Sequence, residues 1–358
     1  MVAYIRTMAV ERRQWLDEDA FRDGVALCQT IPGATAMQTA AYVGLRARGV
    51  GGAIASFVGF ALPAFILMLT LSALYTSTHT LPAVISAFSG LQAIIVAIIA
   101  NATVSFGKTT LKTWGTIAIA VAAAVLFGIG VNPLIVIAAA ALLGLVLMKG
   151  QNAFHSAGAS TQQPLSMKPF ALLLTFIVAA FILLLLLQRQ LFDLAILMFR
   201  IDLFAFGGGF ASVPLMFHEI VQVRQWMDSS TFLNGIALGQ VTPGPIVITA
   251  TFVGYMLYGL AGGLAATFGM FSPSFLMVIG VVPYFDRLRA SLYFNRAISG
   301  ILSSFVGLLL TVTVRFASHV QWDFPHVLFA GAALAALLLK VDILWVVLIG
   351  TALSVVVL

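Results

Sequence analysis

Two short stretches place a glutamine, a proline and a glycine inside segments that are otherwise apolar. "QTIPG" spans residues 29–33 and "QVTPGP" spans residues 240–245. A proline removes a backbone donor from the helical ladder, and a glycine permits positive φ. The half-helix after such a break presents free N–H groups and a positive dipole end, which suits an anion. The predicted contacts here are Gln29, Pro32, Gly33, Gln240, Pro243, Gly244 and Pro245.

Each break taken alone also fits a simple packing kink, which is common for proline in membrane helices. A third stretch, "FGGG" at residues 206–209, offers a related chemistry. Three glycines in an apolar segment can unwind it and form a nest of N–H donors for an oxyanion. Close helix packing through small residues is the alternative. Gly207, Gly208 and Gly209 are the predicted contacts in this stretch.

Arg200 and Asp202 are ionisable residues in the same apolar segment as the glycines. Such residues at membrane depth are energetically expensive and are functional by default. Arg200 could supply fixed positive charge to an anion. Asp202 could be its partner or a proton carrier. The alternative is that the membrane span begins near Leu203 and that both residues lie at the interface.

The hydrophobic composition of the chain indicates that membrane-spanning helices carry these residues. The 358 residues are 61% hydrophobic and only 8% charged, with a mean hydropathy of +1.08. A bilayer span needs about 20 apolar residues, and such runs recur along the whole chain. The sequence therefore predicts an all-α polytopic membrane protein. About twelve hydrophobic segments are expected: 19–45, 50–75, 82–106, 114–128, 131–149, 169–188, 191–218, 230–257, 260–282, 292–316, 325–339 and 341–358.

Several function classes are disfavoured. The chain has a single cysteine, Cys28, and no histidine spacing that suggests a metal site. It carries no phosphate-binding loop, catalytic triad or haem-binding pair, so we expect neither an enzyme nor an ATP-driven pump and no cofactor. The pI near 9.7 reflects basic residues in short loops, as membrane topology requires, and does not imply nucleic acid.

The sequence contains an internal repeat. A shift of 211 residues aligns residues 13–15 with 224–226 and the first break with the second; past the breaks the shift is 210. A period of this size indicates a duplicated domain rather than a solenoid. We expect a first copy over 1–149, a linker and connecting helix over 150–190, and a second copy over 191–358. The first copy begins just after the point where its own glycine-rich segment would stand.

Loop charges indicate that the two copies are inverted. Loop 46–49 is basic, while its equivalent near 257–260 has no Lys or Arg. Conversely, loop 76–81 has no Lys or Arg, while its equivalent near 286–291 is basic. Basic loops face the cytoplasm, so equivalent loops lie on opposite sides. Inverted repeats with discontinuous helices are typical of secondary transporters. The residues assigned to the cytoplasmic side are Arg46, Arg48, Lys108, Lys112, Lys149, Lys168, Arg224, Arg287, Arg289 and Lys340.

These motifs together resemble the chromate ion transporter family. The resemblance rests on "FGGG" at 206–209, "VRQW" at 223–226, "GQVTPGP" followed by "FVGY", and "ERRQWLDE" and "ALCQTIPG" in the first half. It implies a long-chain, two-domain exporter of chromate, with sulfate as a competing or counter-transported oxyanion. Members carry the glycine segment in both halves, whereas this chain begins after the first, and Ala34 stands where the second copy has Pro245.

The resulting hypothesis is a secondary transporter in the inner (plasma) membrane that exports chromate by alternating access. The glycine run and the two breaks would present N–H groups to the anion, Gln29 and Gln240 would add side-chain donors, and Arg200 would add charge. The alternatives are a transporter for another anion, such as sulfate or a carboxylate, and a non-transporting membrane subunit. The lipid bilayer is the expected partner, and a homodimer is one open arrangement.

Overall fold

The structure is a computed structural model that describes residues 1–148, 168–284, 288 and 290–358. Within those ranges all regular structure is helical. The predicted linker from Gly150 to Pro164 lies outside the described residues. The helices are α1 (Val2–Arg6), α2 (Glu18–Thr30), α3 (Thr35–Thr78), α4 (Pro82–Thr110), α5 (Trp114–Gly128), α6 (Pro133–Leu147), α7 (Lys168–Leu187), α8 (Arg189–Phe204), α9 (Ser212–Met216), α10 (Ser229–Val241), α11 (Thr249–Val281), α12 (Leu292–His319), α13 (Phe324–Leu338) and α14 (Ile343–Val357).

Five stretches are long and apolar enough to cross a membrane, namely α3, α4, α7, α12 and α11 with its flanking turns. The remaining apolar helices α5, α6, α13 and α14 have 15 residues each. Large aliphatic and aromatic side chains on the outer faces are exposed, including Leu172, Phe176 and Val356. So much exposed apolar surface is what a lipid-facing protein requires. The predicted all-α polytopic fold is confirmed.

The two copies repeat in local backbone detail. A π-helical turn covers Thr7–Arg12 in the first copy and Phe217–Val223 in the second. The glutamine that follows each turn, Gln14 or Gln225, has φ of 51°. Each copy then begins its next helix with an aspartate cap, Asp17 or Asp228, whose carboxylate accepts from a backbone N–H. Such caps satisfy helix donors that would otherwise lack a partner.

Both long helices bend at equivalent residues, which divides each of them. In α3 the bend is at Arg48 and Gly49, and in α11 it is at Tyr258 and Gly259. Gly49 has φ of 64° and Gly259 has φ of 60°, values that favour glycine. The chain turns back on itself at these residues, since an added Cβ at Gly44 would lie 2.2 Å from Gly52 O and one at Gly254 would lie 2.2 Å from Gly262 O. The predicted segments 50–75 and 260–282 therefore begin where a second helix begins. The segments that contain Pro-Gly stretches are also broken, so α2 and α10 are separate short helices.

The copies exchange their last helices. The centre of the fold holds α4 and its repeat equivalent α12, which meet where Thr103 and Thr313 share a hydrogen bond of 3.3 Å. These two threonines are equivalent under the 210-residue shift, so a pseudo-two-fold axis passes between them. Helix α4 packs against α13 and α14 of the second copy, while α12 packs against α5 and α6 of the first. Neither copy completes its core alone.

Small residues make this exchange possible. A Cβ added at Gly90 would lie 2.3 Å from Ser354 Oγ, and one added at the equivalent Gly300 would lie 2.1 Å from Ala140 O. Helices in membranes approach closely through such residues because lipid supplies no hydrophobic force between them. The fold is therefore a single interleaved unit of two homologous, inverted domains.

Helix α8 breaks the symmetry, since it packs along α11. A Cβ at Gly269 would lie 2.2 Å from Ala195 O, whereas one at the equivalent Gly59 would meet nothing within 4 Å. We therefore expect Gly269→Ala to lower the free energy of unfolding by about 1–3 kcal/mol through overpacking. Gly59→Ala, the matched control, should be neutral or slightly stabilising. Unfolding in mixed detergent micelles measures both, and equal effects would contradict the packing of α8 described above.

Candidate functional site

The first break separates α2 from α3 and is buried. Ile31 is extended and Gly33 has φ of +115°. The donors freed by the break find partners in the second copy: Gly33 N donates to Ala205 O at 3.0 Å and Ala34 N donates to Ser274 Oγ at 3.1 Å. Pro32 O accepts from Gln38 Nε2 at 2.5 Å. Buried backbone groups need such partners because an unmet one costs as much as a lost hydrogen bond.

The second break lies between α10 and α11, and its backbone groups are satisfied without partners from the other copy. Thr242 is extended, and a 3₁₀ turn over Ile246–Ile248 leads into α11. Thr242 N and Oγ1 return to Leu238 O and Gly239 O at 3.2 and 2.8 Å. Pro243 and Pro245 have no N–H to satisfy. The predicted discontinuous helices are confirmed, with prolines reducing the number of unpaired donors here.

Each break lies against the long helix of the other copy. A Cβ at Gly33 would lie 2.0 Å from Ser274 Oγ, and one at Gly244 would lie 2.6 Å from Ala64 Cβ. Ser274 and Ala64 are repeat equivalents, each following a proline within its helix. The two Pro-Gly stretches thus form one region at the interface between the copies.

The glycine run lies between the two breaks. Gly207 and Gly208 have φ of 96° and 94°, so α8 ends and a 3₁₀ turn follows over Gly209–Ala211. A Cβ at Gly208 would lie 3.2 Å from Thr35 Oγ1 at the start of α3. One at Gly209 would lie 3.0 Å from Ile246 Cγ2 beyond the second break. The structure therefore brings the three predicted motifs together.

A cavity of about 370 Å³ opens beside the glycine run. Gly207 forms part of its wall, and α4 contributes Asn101, Ser105 and Thr109. In the described ranges, neither the N–H of Gly207 nor that of Gly208 donates to a protein acceptor. Among mostly apolar side chains, the cavity wall carries the amide of Asn101 and the hydroxyls of Ser105 and Thr109, and no ionisable side chain. Such a wall can bind an anion through hydrogen bonds alone.

The residues from α4 were not assigned to the site by the sequence analysis. Asn101, Ser105 and Thr109 follow one another at intervals of four, so they share one face of α4. A polar stripe of this kind in an apolar helix was the available signal. Ser274 was missed because only helix packing brings it to the first break, and Thr35 because only helix packing brings it to Gly208.

Arg200 is placed away from the cavity wall. Its guanidinium pairs with Glu219 Oε1 at 2.5 Å, and Arg224 Nε lies 3.6 Å from the other oxygen of that carboxylate. Arg200 is 42% exposed and Glu219 9% exposed. Asp202, named as one option for the partner of Arg200, instead bonds to Ser274 and is fully buried. Arg200 and Asp202 both lie within α8, which starts at Arg189.

The two glutamines differ in their surroundings. Gln29 is exposed near the end of α2. Gln240 is partly buried, and its Nε2 is a buried donor without a partner among the described residues. Of the two, Gln240 is the one with an unused donor near the breaks.

Comparison with known proteins identifies the family. The model of the chromate transporter family matches residues 1–145 and 192–355. The chain belongs to this family. The family is a family of membrane transporters, and this member is a multi-pass membrane protein.

Three relatives illustrate the similarity. The chain is 41% identical to an uncharacterized transporter of Methanocaldococcus jannaschii over 99% of its own length and 88% of the relative. It is 31% identical to a chromate transport protein of Pseudomonas aeruginosa, covering 93% and 80% of the two chains. It is 28% identical to a probable chromate transport protein of Synechococcus elongatus, covering 93% and 84%. No solved structure matches the chain.

Substitution of Gly33 can measure how tightly the first break is packed against Ser274. Gly33 and Gly49 both have positive φ, but only Gly33 has an atom close to the position of an added Cβ. We expect Gly33→Ala to lower the free energy of unfolding by about 1–3 kcal/mol more than Gly49→Ala, because the backbone strain is shared and the clash with Ser274 is not. Unfolding of both variants in mixed micelles gives the comparison. A difference near zero would show that Ser274 does not pack against the break.

Proposed function

We propose that this protein is a secondary transporter that exports chromate from the cytoplasm by alternating access. The observation that carries the proposal is the pair of free N–H groups at Gly207 and Gly208, which lie between two helix breaks and beside a cavity that α4 lines with a polar stripe. Chromate is a tetrahedral dianion, and converging N–H and O–H donors are suited to it. The relatives named as chromate transport proteins support the choice of substrate.

The location of the cavity supports loading from the cytoplasm. Its wall follows α4 toward Lys108, near which Ser105 and Thr109 are exposed. The distribution of basic residues assigns this end of α4 to the cytoplasmic side, and those charges would concentrate anions at the opening. We propose the inner (plasma) membrane as the location and no enzymatic activity.

Alternating access has a structural basis in the interleaved copies. Both breaks contact the long helix of the other copy, so a rocking motion of one copy against the other would change both contacts together. The bends at Gly49 and Gly259 provide equivalent hinges, as glycine with positive φ can absorb backbone rotation. The remaining predicted contacts, Gln29, Pro32, Gln240, Pro243, Gly244 and Pro245, are proposed to act within this region.

Chromate flux into proteoliposomes tests the substrate and the glycine nest. We expect Gly208→Leu to reduce flux at least about tenfold, because leucine disfavours the φ of +94° that orients this N–H and its Cβ would lie 3.2 Å from Thr35 Oγ1; a misdirected oxyanion donor costs on the order of 10²-fold in other sites. Gly130→Leu is the matched control because Gly130 also has positive φ, +92°, and an added Cβ there meets nothing within 4 Å, so this variant should retain flux. Absence of chromate flux in the parent, or full flux in Gly208→Leu, would contradict the proposal.

A competition panel separates chromate from other anions. Sulfate, molybdate, phosphate and carboxylates are added at increasing concentration to the chromate assay. We expect sulfate and molybdate to compete, because they share the tetrahedral dianion geometry, and carboxylates to compete poorly. Strong inhibition by a carboxylate together with weak transport of chromate would favour the alternative substrate class.

The role of Arg200 can be tested separately. Because its charge is paired with Glu219, we expect Arg200→Gln to lower flux by leaving a buried carboxylate poorly compensated. The double variant Arg200→Gln/Glu219→Gln should then recover part of the flux. If the double variant remains as inactive as Arg200→Gln, direct contact between Arg200 and the anion is supported instead.

A further inference from the structure

Asp202 is a buried acid that the proposed anion site does not use. Its side chain is fully buried on α8. Oδ2 accepts from Ser274 N at 2.9 Å and from Ser274 Oγ at 2.7 Å, while Oδ1 is buried with no partner among the described residues. A carboxylate in an apolar interior with one oxygen unsatisfied is costly, so this oxygen calls for a donor.

A second acceptor without a donor lies at the same break. Gln38 Oε1 is buried and unpartnered, while its Nε2 is held by Pro32 O. Gln38 and Ser274, the partner of Asp202, both lie beside Gly33, since a Cβ there would lie 2.0 Å from Ser274 Oγ and 2.7 Å from Gln38 Nε2. Two buried oxygens that can only accept thus belong to the groups around this break. The smallest ligand that converts one of them into a donor is a proton.

The charges around Asp202 do not neutralise it. On its own helix Arg200 is paired with Glu219, and Asp193 and Arg189 lie further toward the start of α8. Among the described residues, α11 contributes only the titratable Tyr255 and Tyr258, and α9 contributes none. Helix α7 contributes Lys168 at its first residue, and α2 contributes Cys28 near the break. No ion pair with Asp202 occurs within the described ranges.

We propose that Asp202 binds a proton during transport and that this proton controls the first break. The proton comes from water and forms an O–H bond at Oδ1, which makes the carboxyl group neutral. A neutral carboxyl is a weaker acceptor for Ser274 than a carboxylate. Ser274 Oγ, which now accepts from Ala34 N, is thereby freed to move, and the Ala34 N–H becomes available to an anion.

Protonation of Asp202 also couples proton binding to anion binding. An ionised Asp202 repels a dianion bound at the breaks, and a neutral one does not, so each ligand favours binding of the other. Such coupling is reciprocal by thermodynamic necessity. The second break has no equivalent, because Pro245 lacks an N–H and Ala64 lacks an acceptor where the first break has Ala34 and Ser274. The inference rests on the proposed transport function.

Reconstituted protein tests the proposal with two assays. The first is exchange of labelled for unlabelled chromate at equal pH, which needs binding and alternating access but no net proton movement. The second is proton flux triggered by chromate, followed with a pH dye inside the vesicles. We expect the parent to show both. Asp202→Asn should retain exchange while its proton flux falls to the level of protein-free liposomes.

Controls separate this result from misfolding and from failure of the proposed function. Asp193→Asn neutralises an acid on the same helix and should retain both activities. If Asp202→Asn does not fold, Asp202→Ser replaces it as the variant that has no carboxylate at this position. Three results would each overturn the role of Asp202. The parent could exchange chromate without proton flux, its chromate flux could follow a sodium gradient at equal pH, or Asp202→Asn could keep the full proton flux. A parent without any chromate exchange would instead overturn the transport function itself.

Discussion

In an apolar environment every backbone N–H and C=O needs a partner, and the two Pro-Gly breaks are where this chain must satisfy them outside a continuous helix. At the first break the partners come from the other copy, through Ala205 O and Ser274 Oγ. At the second, prolines remove donors and threonines return to nearby carbonyls. The glycine run between them keeps two donors unpaired, and for this reason we propose an anion site here rather than a packing kink.

The requirement for partners also explains why the copies are interleaved. Because the first break is closed by groups from α8 and α11, the first copy cannot satisfy its own backbone in isolation. The exchange of terminal helices around α4 and α12 adds a second dependence, through close contacts at Gly90 and Gly300. A motion that separates the copies at one break must therefore be compensated elsewhere, which restricts the protein to a few discrete arrangements.

The repeat is symmetric in backbone and asymmetric in chemistry. Equivalent residues share bends, caps and π-helical turns, yet the first break pairs an N–H with a hydroxyl and the second pairs a proline with a methyl group. Asp202 reinforces that difference because it bonds to the serine of the first break alone. Duplicated copies that diverge in this way can differ in task, and our proposal places proton control at the first break alone.

Hydropathy, loop charge and Pro-Gly chemistry are local properties of the chain, so the fold class, the duplication, its inversion and the helix breaks could all be predicted from them. The side chains that meet at those breaks could not be predicted in this way. Ser274 is 240 residues from Ala34, and Arg200 finds Glu219 rather than Asp202, because partners depend on how helices cross. The polar face of α4 was readable at intervals of four residues. Its placement beside Gly207 was not, since no local pattern reports which helix lies across from it.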